Sequence, residues 1–173
     1  MIRLYLVRHG IAVDRESGAP GDEARGLSAK GRARFRRLAR AFARLNEPPL
    51  DYLFSSPLVR AVQTAEILLA ALRLDHLSIL AALRPEGNLN GLLSELSAQV
   101  KDGESLALVG HDPLMTALVA ALAEVPRERI VFRKGAIIRF DLAGLALGKT
   151  AKAQWWLRPK TRAQVPGLPL KKG

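Results

Sequence analysis

Cysteine is absent from this chain, which excludes disulfides, thiolate nucleophiles and sulfur-ligated metals outright. Aromatic residues are scarce, at 5% of the sequence, and they do not interleave with the basic residues as in nucleic-acid readers. The sequence contains no internal repeat, and no cationic leader followed by a long apolar segment opens it. Export is therefore not expected, and a cytoplasmic location is. One stretch invites a membrane reading, "LALVGHDPLMTALVAALA" (106–123), but His111, Asp112 and Pro113 interrupt it. It reads as strand, turn and helix, so no membrane partner is expected.

Acidic residues are also in deficit. Sixteen Asp and Glu stand against 27 Lys and Arg, a net charge of +11 at pH 7. That balance favours anionic partners: phosphates, acidic proteins or nucleic acid. In the densest run, "KGRARFRRLARAFARL" (30–45), Phe35, Leu38, Phe42 and Leu45 form a helical stripe and the arginines fill the other faces. A solvated basic face accounts for that pattern, so nucleic acid is not expected as a partner.

What is present suffices for one folded domain: 173 residues, 49% of them apolar. Apolar runs at 2–7, 51–55, 77–81, 105–109, 136–142 and 151–157 read as strands. Helical patterns fall at 28–45, 57–73, 89–100 and 113–124, the second with a stripe of Leu58, Val62, Ala65, Leu69 and Leu72. The alternation predicts an α/β three-layer sandwich, a mostly parallel sheet flanked by helices, with one antiparallel element near the C-terminus. The domain is expected over 1–158. Residues 159–173, basic and proline-containing without an apolar period, read as a tail. The long connection 11–27 is unusual for a compact domain and is a candidate functional segment.

In open α/β sheets ligands bind beyond the carboxyl ends of the strands. The first strand ends in Arg8-His9-Gly10. The second leads into "SSPLVR", where Ser56 is placed to cap a helix, Pro57 suits its first turn and Arg60 lies off the apolar stripe. "SLALV" leads into "GHDP", with Asp112 as cap and His111 just ahead of a helix N-terminus. Two arginines, two histidines and two helix N-termini converge on one point, and a phosphoryl group fits it.

Four separated motifs fall in order, "VRHG" (7–10), "RGLSAKG" (25–31), "SSPLVRAVQTAEIL" (55–68) and "LVGHDPLM" (108–115), and the likeness they carry covers the chain from its start to about residue 142. On these the chain resembles the histidine phosphatase superfamily (phosphoglycerate-mutase-like), most closely the bacterial SixA-type phosphohistidine phosphatases. The resemblance implies His9 as the nucleophile that takes the phosphoryl group, Arg8 and Arg60 as clamps on its oxygens, and His111 as a donor to one of them. Gly10, Arg25 and Ser56 would complete the substrate-binding set. Larger members use an acid after the third strand to protonate the leaving group. Here Glu86, in "LRPEGN", is the candidate, against a loop glutamate paired with Arg84. His76 has no matching role. The implied substrate is a phosphorylated protein, such as an acidic histidine phosphotransfer domain, or a small phosphorylated molecule. No metal or other cofactor is expected. Alternatives are a small-molecule phosphoester or phosphoanhydride hydrolase, and a non-catalytic phosphate or nucleic-acid binding module.

Overall fold

The computed structural model describes residues 1–16, 18 and 20–171. Residues 17 and 19 of the 11–27 connection, and the last two of the segment read as a tail, lie outside the described residues. Among the described residues seven strands form one sheet: β1 (Ile2–Arg8), β2 (Tyr52–Ser55), β3 (Ser78–Ile79), β4 (Ser105–Gly110), β5 (Ile137–Leu142), β6 (Ala151–Leu157) and β7 (Gln164–Pro166). Their spatial order is β3-β2-β4-β1-β5-β6-β7. Parallel ladders join β1 to β4, β4 to β2 and β2 to β3. The antiparallel part is larger than one hairpin, because β5 runs against β1, β6 against β5 and β7 against β6.

Among the described residues four α-helices cover the two faces: α1 (Ala29–Ala43), α2 (Val59–Leu72), α3 (Leu89–Ser97) and α4 (Leu114–Ala123). The period-2 alternation of β1 decides which side chain meets which layer. Leu4 and Leu6 pack in the cluster of Leu92, Leu96, Leu114 and Leu118. Tyr5 and Val7 point the other way, into the cluster of Phe35, Leu38, Phe42, Ala61 and Leu68. Both faces of β1 are buried, which is why residues 4–7 are apolar at every position.

α1 starts where its sequence indicates. Ser28 Oγ accepts the Gly31 N–H at 3.0 Å and so satisfies one of the free first-turn donors. Gly31 is required for a second reason: a Cβ there would lie 2.0 Å from the Ile11 carbonyl oxygen. Helix α1 therefore rests directly on the backbone just beyond His9.

α2 differs from expectation in two ways. It begins at Val59 with Leu58 as its N-cap residue and no side-chain cap, so Ser56 is not the cap. Its buried face runs through Arg60, Ala61, Thr64, Ala65 and Leu68, about one residue round from the predicted stripe, of which Ala65 belongs to it and Leu58, the N-cap residue, is buried as well. The small side chains of Ala61, Thr64 and Ala65 are what let this face sit close, leaving Val62, Leu69 and Leu72 partly exposed at its flanks. The capping role expected of Asp112 is filled from one position further out. Pro113 is the N-cap residue of α4, and Asp112 Oδ1 accepts the Thr116 N–H at 3.2 Å and its hydroxyl at 2.6 Å.

The segment after 158 is laid along the sheet rather than trailing from it. β7 pairs with β6, and the Val131 N–H donates to the Pro169 carbonyl at 2.7 Å. Edge pairing uses backbone groups alone, so it needs no apolar period in the sequence.

Candidate active site

The order β2-β4-β1 brings three strand ends side by side, and each is followed at once by a polar residue. His9 follows β1, His111 follows β4 and Ser56 follows β2. Backbone bonds lock the row: the His9 N–H donates to the Gly110 carbonyl at 3.0 Å, and the Ser56 N–H to the Val109 carbonyl at 2.9 Å. Gly110 suits this spot because a Cβ would meet Met115 Sδ at 2.7 Å.

The two imidazoles face each other with ring centroids 4.8 Å apart. His9 Nδ1 lies 2.6 Å from the carbonyl oxygen of Gly10. A carbonyl only accepts, so Nδ1 carries the proton and the lone pair is on Nε2. The Gly10 N–H donates to Thr64 Oγ1 at 3.0 Å, and that hydroxyl donates to the Arg60 carbonyl at 2.6 Å. The nucleophile candidate is thus tied through one glycine to the first turns of α2. His111 Nε2 shares a hydrogen bond with Ser56 Oγ at 2.9 Å, and its Nδ1 has no partner among the described residues.

His9, Arg60 and His111 are all buried, at 6%, 5% and 1% exposure. Burial pushes the His9 pKa down from 6.5 to about 3, assisted by His111, Arg60 and Arg8, and opposed by the bond to Gly10. Burial likewise lowers His111 to about 3, with Arg60 and Arg8 adding to the effect and Asp22 opposing it. Both rings are therefore neutral at physiological pH.

Arg8 donates through Nη1 to the Phe132 carbonyl at 2.5 Å and pairs with Asp112 Oδ2 at 2.7 Å. Arg60 reaches the 11–27 connection. Its Nη1 donates to the Asp22 carbonyl at 2.7 Å, and its Nη2 to Asp22 Oδ2 at 2.8 Å. The other carboxylate oxygen of Asp22 accepts from Arg25 Nη2 at 2.6 Å. Arg25 also holds the Val13 carbonyl at 2.8 Å, so it joins the site only through Asp22. The two guanidinium groups hold the Asp22 carboxyl below the usual carboxylate range, the bond from Arg25 contributing most.

Of the residues predicted for the site, His9, Arg8, Gly10, Ser56, Arg60 and His111 gather at the strand ends. Glu86 is exposed and lies 3.7 Å from Arg84, which also pairs with Glu23. His76 is exposed, with its Nε2 3.0 Å from Ser78 Oγ. Sequence reasoning missed Asp22 and Thr64. Thr64 lies one turn beyond Arg60, a polar residue on the buried face of α2, and that spacing was available in the sequence.

The profile of the Histidine phosphatase superfamily (branch 1) matches residues 4–91. An uncharacterized protein of Picosynechococcus sp. is 38% identical over 125 residues, 70% of this chain and 73% of that one. Among solved structures, a protein histidine phosphatase SixA complexed with tungstate superposes with TM-score 0.77 at 26% identity. The match covers 91% of this chain and 97% of that one. A phosphoserine phosphatase of Entamoeba histolytica shares the fold at TM-score 0.67 and 15% identity, covering 88% and 95% of the two chains. The chain belongs to the histidine phosphatase superfamily. Membership makes it a phosphatase, while the fold itself accommodates more than one kind of phosphorylated substrate. Among the described residues, no helix is long and apolar enough to cross a membrane.

Proposed function

We propose that this phosphatase hydrolyses protein phosphohistidine, through a covalent phosphohistidine formed on His9, without a metal ion. The observation that carries the proposal is the 2.6 Å contact of His9 Nδ1 with the Gly10 carbonyl. It fixes the tautomer whose Nε2 lone pair is free to attack phosphorus, and the depressed pKa keeps that lone pair unprotonated. In the first step the Nε2–P bond forms as the bond from phosphorus to the substrate imidazole breaks. That imidazole, protonated beforehand on its other nitrogen, departs neutral. In the second step water attacks phosphorus, the P–Nε2 bond breaks with its electron pair returning to Nε2, and inorganic phosphate leaves as the dihydrogen anion carrying both protons of the attacking water.

Arg8 and Arg60 offset the charge on the equatorial oxygens during both transfers, and neutral His111 donates its one N–H to them. Ser56 holds the His111 ring, Gly10 lets backbone approach the oxygens, and Arg25 acts from behind through Asp22. No acid is needed for a leaving group that departs neutral, which agrees with the exposed, Arg84-paired position of Glu86.

Rapid quench of the wild-type protein with labelled phosphohistidine substrate tests the reading. A phosphoenzyme should be trapped that is acid-labile and base-stable, and His9→Ala should abolish both it and turnover while remaining folded. Full activity in His9→Ala, or a trapped phosphoserine, would falsify the assignment.

A further inference from the structure

Beyond the reacting centre, the same edge of the sheet carries a second concentration of positive charge. Val7 pairs with Ile137, and Ile137 with Leu157. β6 therefore runs in the direction of β1, and Arg158 leaves the sheet two strands from Arg8, about 10 Å along the edge. The turn at Lys134-Gly135 lies between them, and the Gly135 N–H donates to the carbonyls of both Arg8 and His9, at 2.9 and 3.0 Å.

Here a cavity of about 530 Å³ is lined by Arg34, Arg133, Lys134, Arg158, Lys160 and Lys171, together with Trp156, and no acidic residue lines it. Among the described residues none of these six cations forms an ion pair. Five of them are exposed, Arg34 being half-buried. The pairing of β7 with β6 and the backbone bond from Lys171 to the Arg129 carbonyl, at 2.7 Å, hold the C-terminal cations in place. Six unpaired positive charges gathered round one cavity repel one another, and an anionic occupant relieves that repulsion.

We propose that this cavity is a docking site for the acidic segment flanking the phosphorylated histidine of a substrate protein. The proposal rests on the phosphohistidine reading above. Carboxylates fit better than nucleic acid because of Trp156. The Arg158 guanidinium sits 5.3 Å from the centre of its ring, so this aromatic face orients an arginine and is not open to a stacking base. The 10 Å offset from Arg8 equals about three residues of extended chain, so the acidic groups belong roughly three positions from the phosphohistidine.

The test compares two phosphohistidine peptides, one flanked by glutamates and one by glutamines, on wild type, Arg158→Glu/Lys160→Glu and Arg158→Gln/Lys160→Gln. Wild type should favour the acidic peptide by about 10-fold in kcat/KM at low salt. The charge reversal should abolish that preference and the neutral pair should halve it on a logarithmic scale, with p-nitrophenyl phosphate turnover unchanged in both. An acidic preference that is absent in wild type, or that survives the reversal, overturns the docking site. If neither peptide is cleaved while the aryl phosphate is, the phosphohistidine reading fails instead. Docking is then decided by titrating unphosphorylated acidic peptide into His9→Ala with and without the reversal: about 10-fold weaker binding in the reversed protein supports it, and equal binding overturns it. A single-stranded oligonucleotide of equal charge that binds more tightly than the peptide would reassign the cavity to nucleic acid.

Discussion

The Asp22 carboxylate lies 2.8 Å from the Arg60 guanidinium, and the main-chain carbonyl of Asp22 takes a second Arg60 N–H at 2.7 Å. An arginine proposed to grip phosphoryl oxygens thus already grips an anion supplied by its own chain. The pair is uneven in side-chain exposure, 6% for Arg60 and 43% for Asp22, so the carboxylate is the partner free to move aside. A substrate reaching Arg60 must exchange with it.

Asp22→Asn should therefore tighten the binding of orthovanadate by about 3- to 10-fold, the scale of a partly exposed ion pair. The KM for p-nitrophenyl phosphate should drop in parallel. Inhibition constants measured on both proteins settle the point. Weaker vanadate binding in the variant would mean that Asp22 orients Arg60 instead of competing for it.

Stability should depend on pH through the two buried imidazoles. Folded His9 and His111 titrate near 3, against an ordinary value of 6.5. Between those values the unfolded chain binds protons that the folded chain does not, so stability rises with pH across the window and is lost as pH falls below about 6.5. Thermal melts from pH 7.5 down to 4.5 should show that decline, and His9→Ala should flatten it. Parallel curves for the two proteins would count against a depressed His9.

Arg60→Ala and His111→Ala should each lower kcat/KM by about 10²-fold or more, the usual loss when a charge-stabilising donor is removed. His76→Ala should match wild type. The reverse pattern, an essential His76 beside a dispensable His111, would refute the convergence at the strand ends.

The strand-end residues were legible because each breaks an apolar run: Arg8-His9-Gly10 where β1 ends, and His111-Asp112 after β4. Asp22 was not. Its place is set by Arg25 and by Arg60, 38 residues away, within a connection that has no periodicity to read. The face of α2 was misread because alanine and threonine carry little hydropathy, yet their small size is what brings that face against its neighbours. β7 was invisible for a related reason: its pairing satisfies backbone groups on the edge of β6 and leaves no mark in side-chain pattern. The layer order, by contrast, follows from the doubly apolar β1 and the stripe of α1.

Leaving-group chemistry separates the proposed substrate from ordinary phosphoesters. Without a general acid, rate should fall steeply as the leaving group becomes more basic, with phosphoimidazoles and p-nitrophenyl phosphate accepted and alkyl phosphates poor. Glu86→Gln should leave that slope unchanged, and activity should persist in EDTA. A shallow slope that the variant steepens would install Glu86 as the acid and point to a small-molecule phosphoesterase.

The central place of β1 bears on how the enzyme comes into being. Its parallel neighbour begins at Ser105 and its antiparallel neighbour ends at Leu142, so both lie far away along the chain. Such long-range pairings are slow to form, because loop closure costs entropy before any contact offsets it. On a ribosome, His9 is made about 130 residues ahead of β5, a wait on the order of 10 s at ordinary elongation rates. Through that interval β1, which ends up buried on both faces, lacks its antiparallel neighbour, and until Gly110 is made it lacks β4 as well. A nascent chain halted before β4 would carry His9, yet it would have neither Gly110 to hold that residue's backbone nor His111 beside its ring.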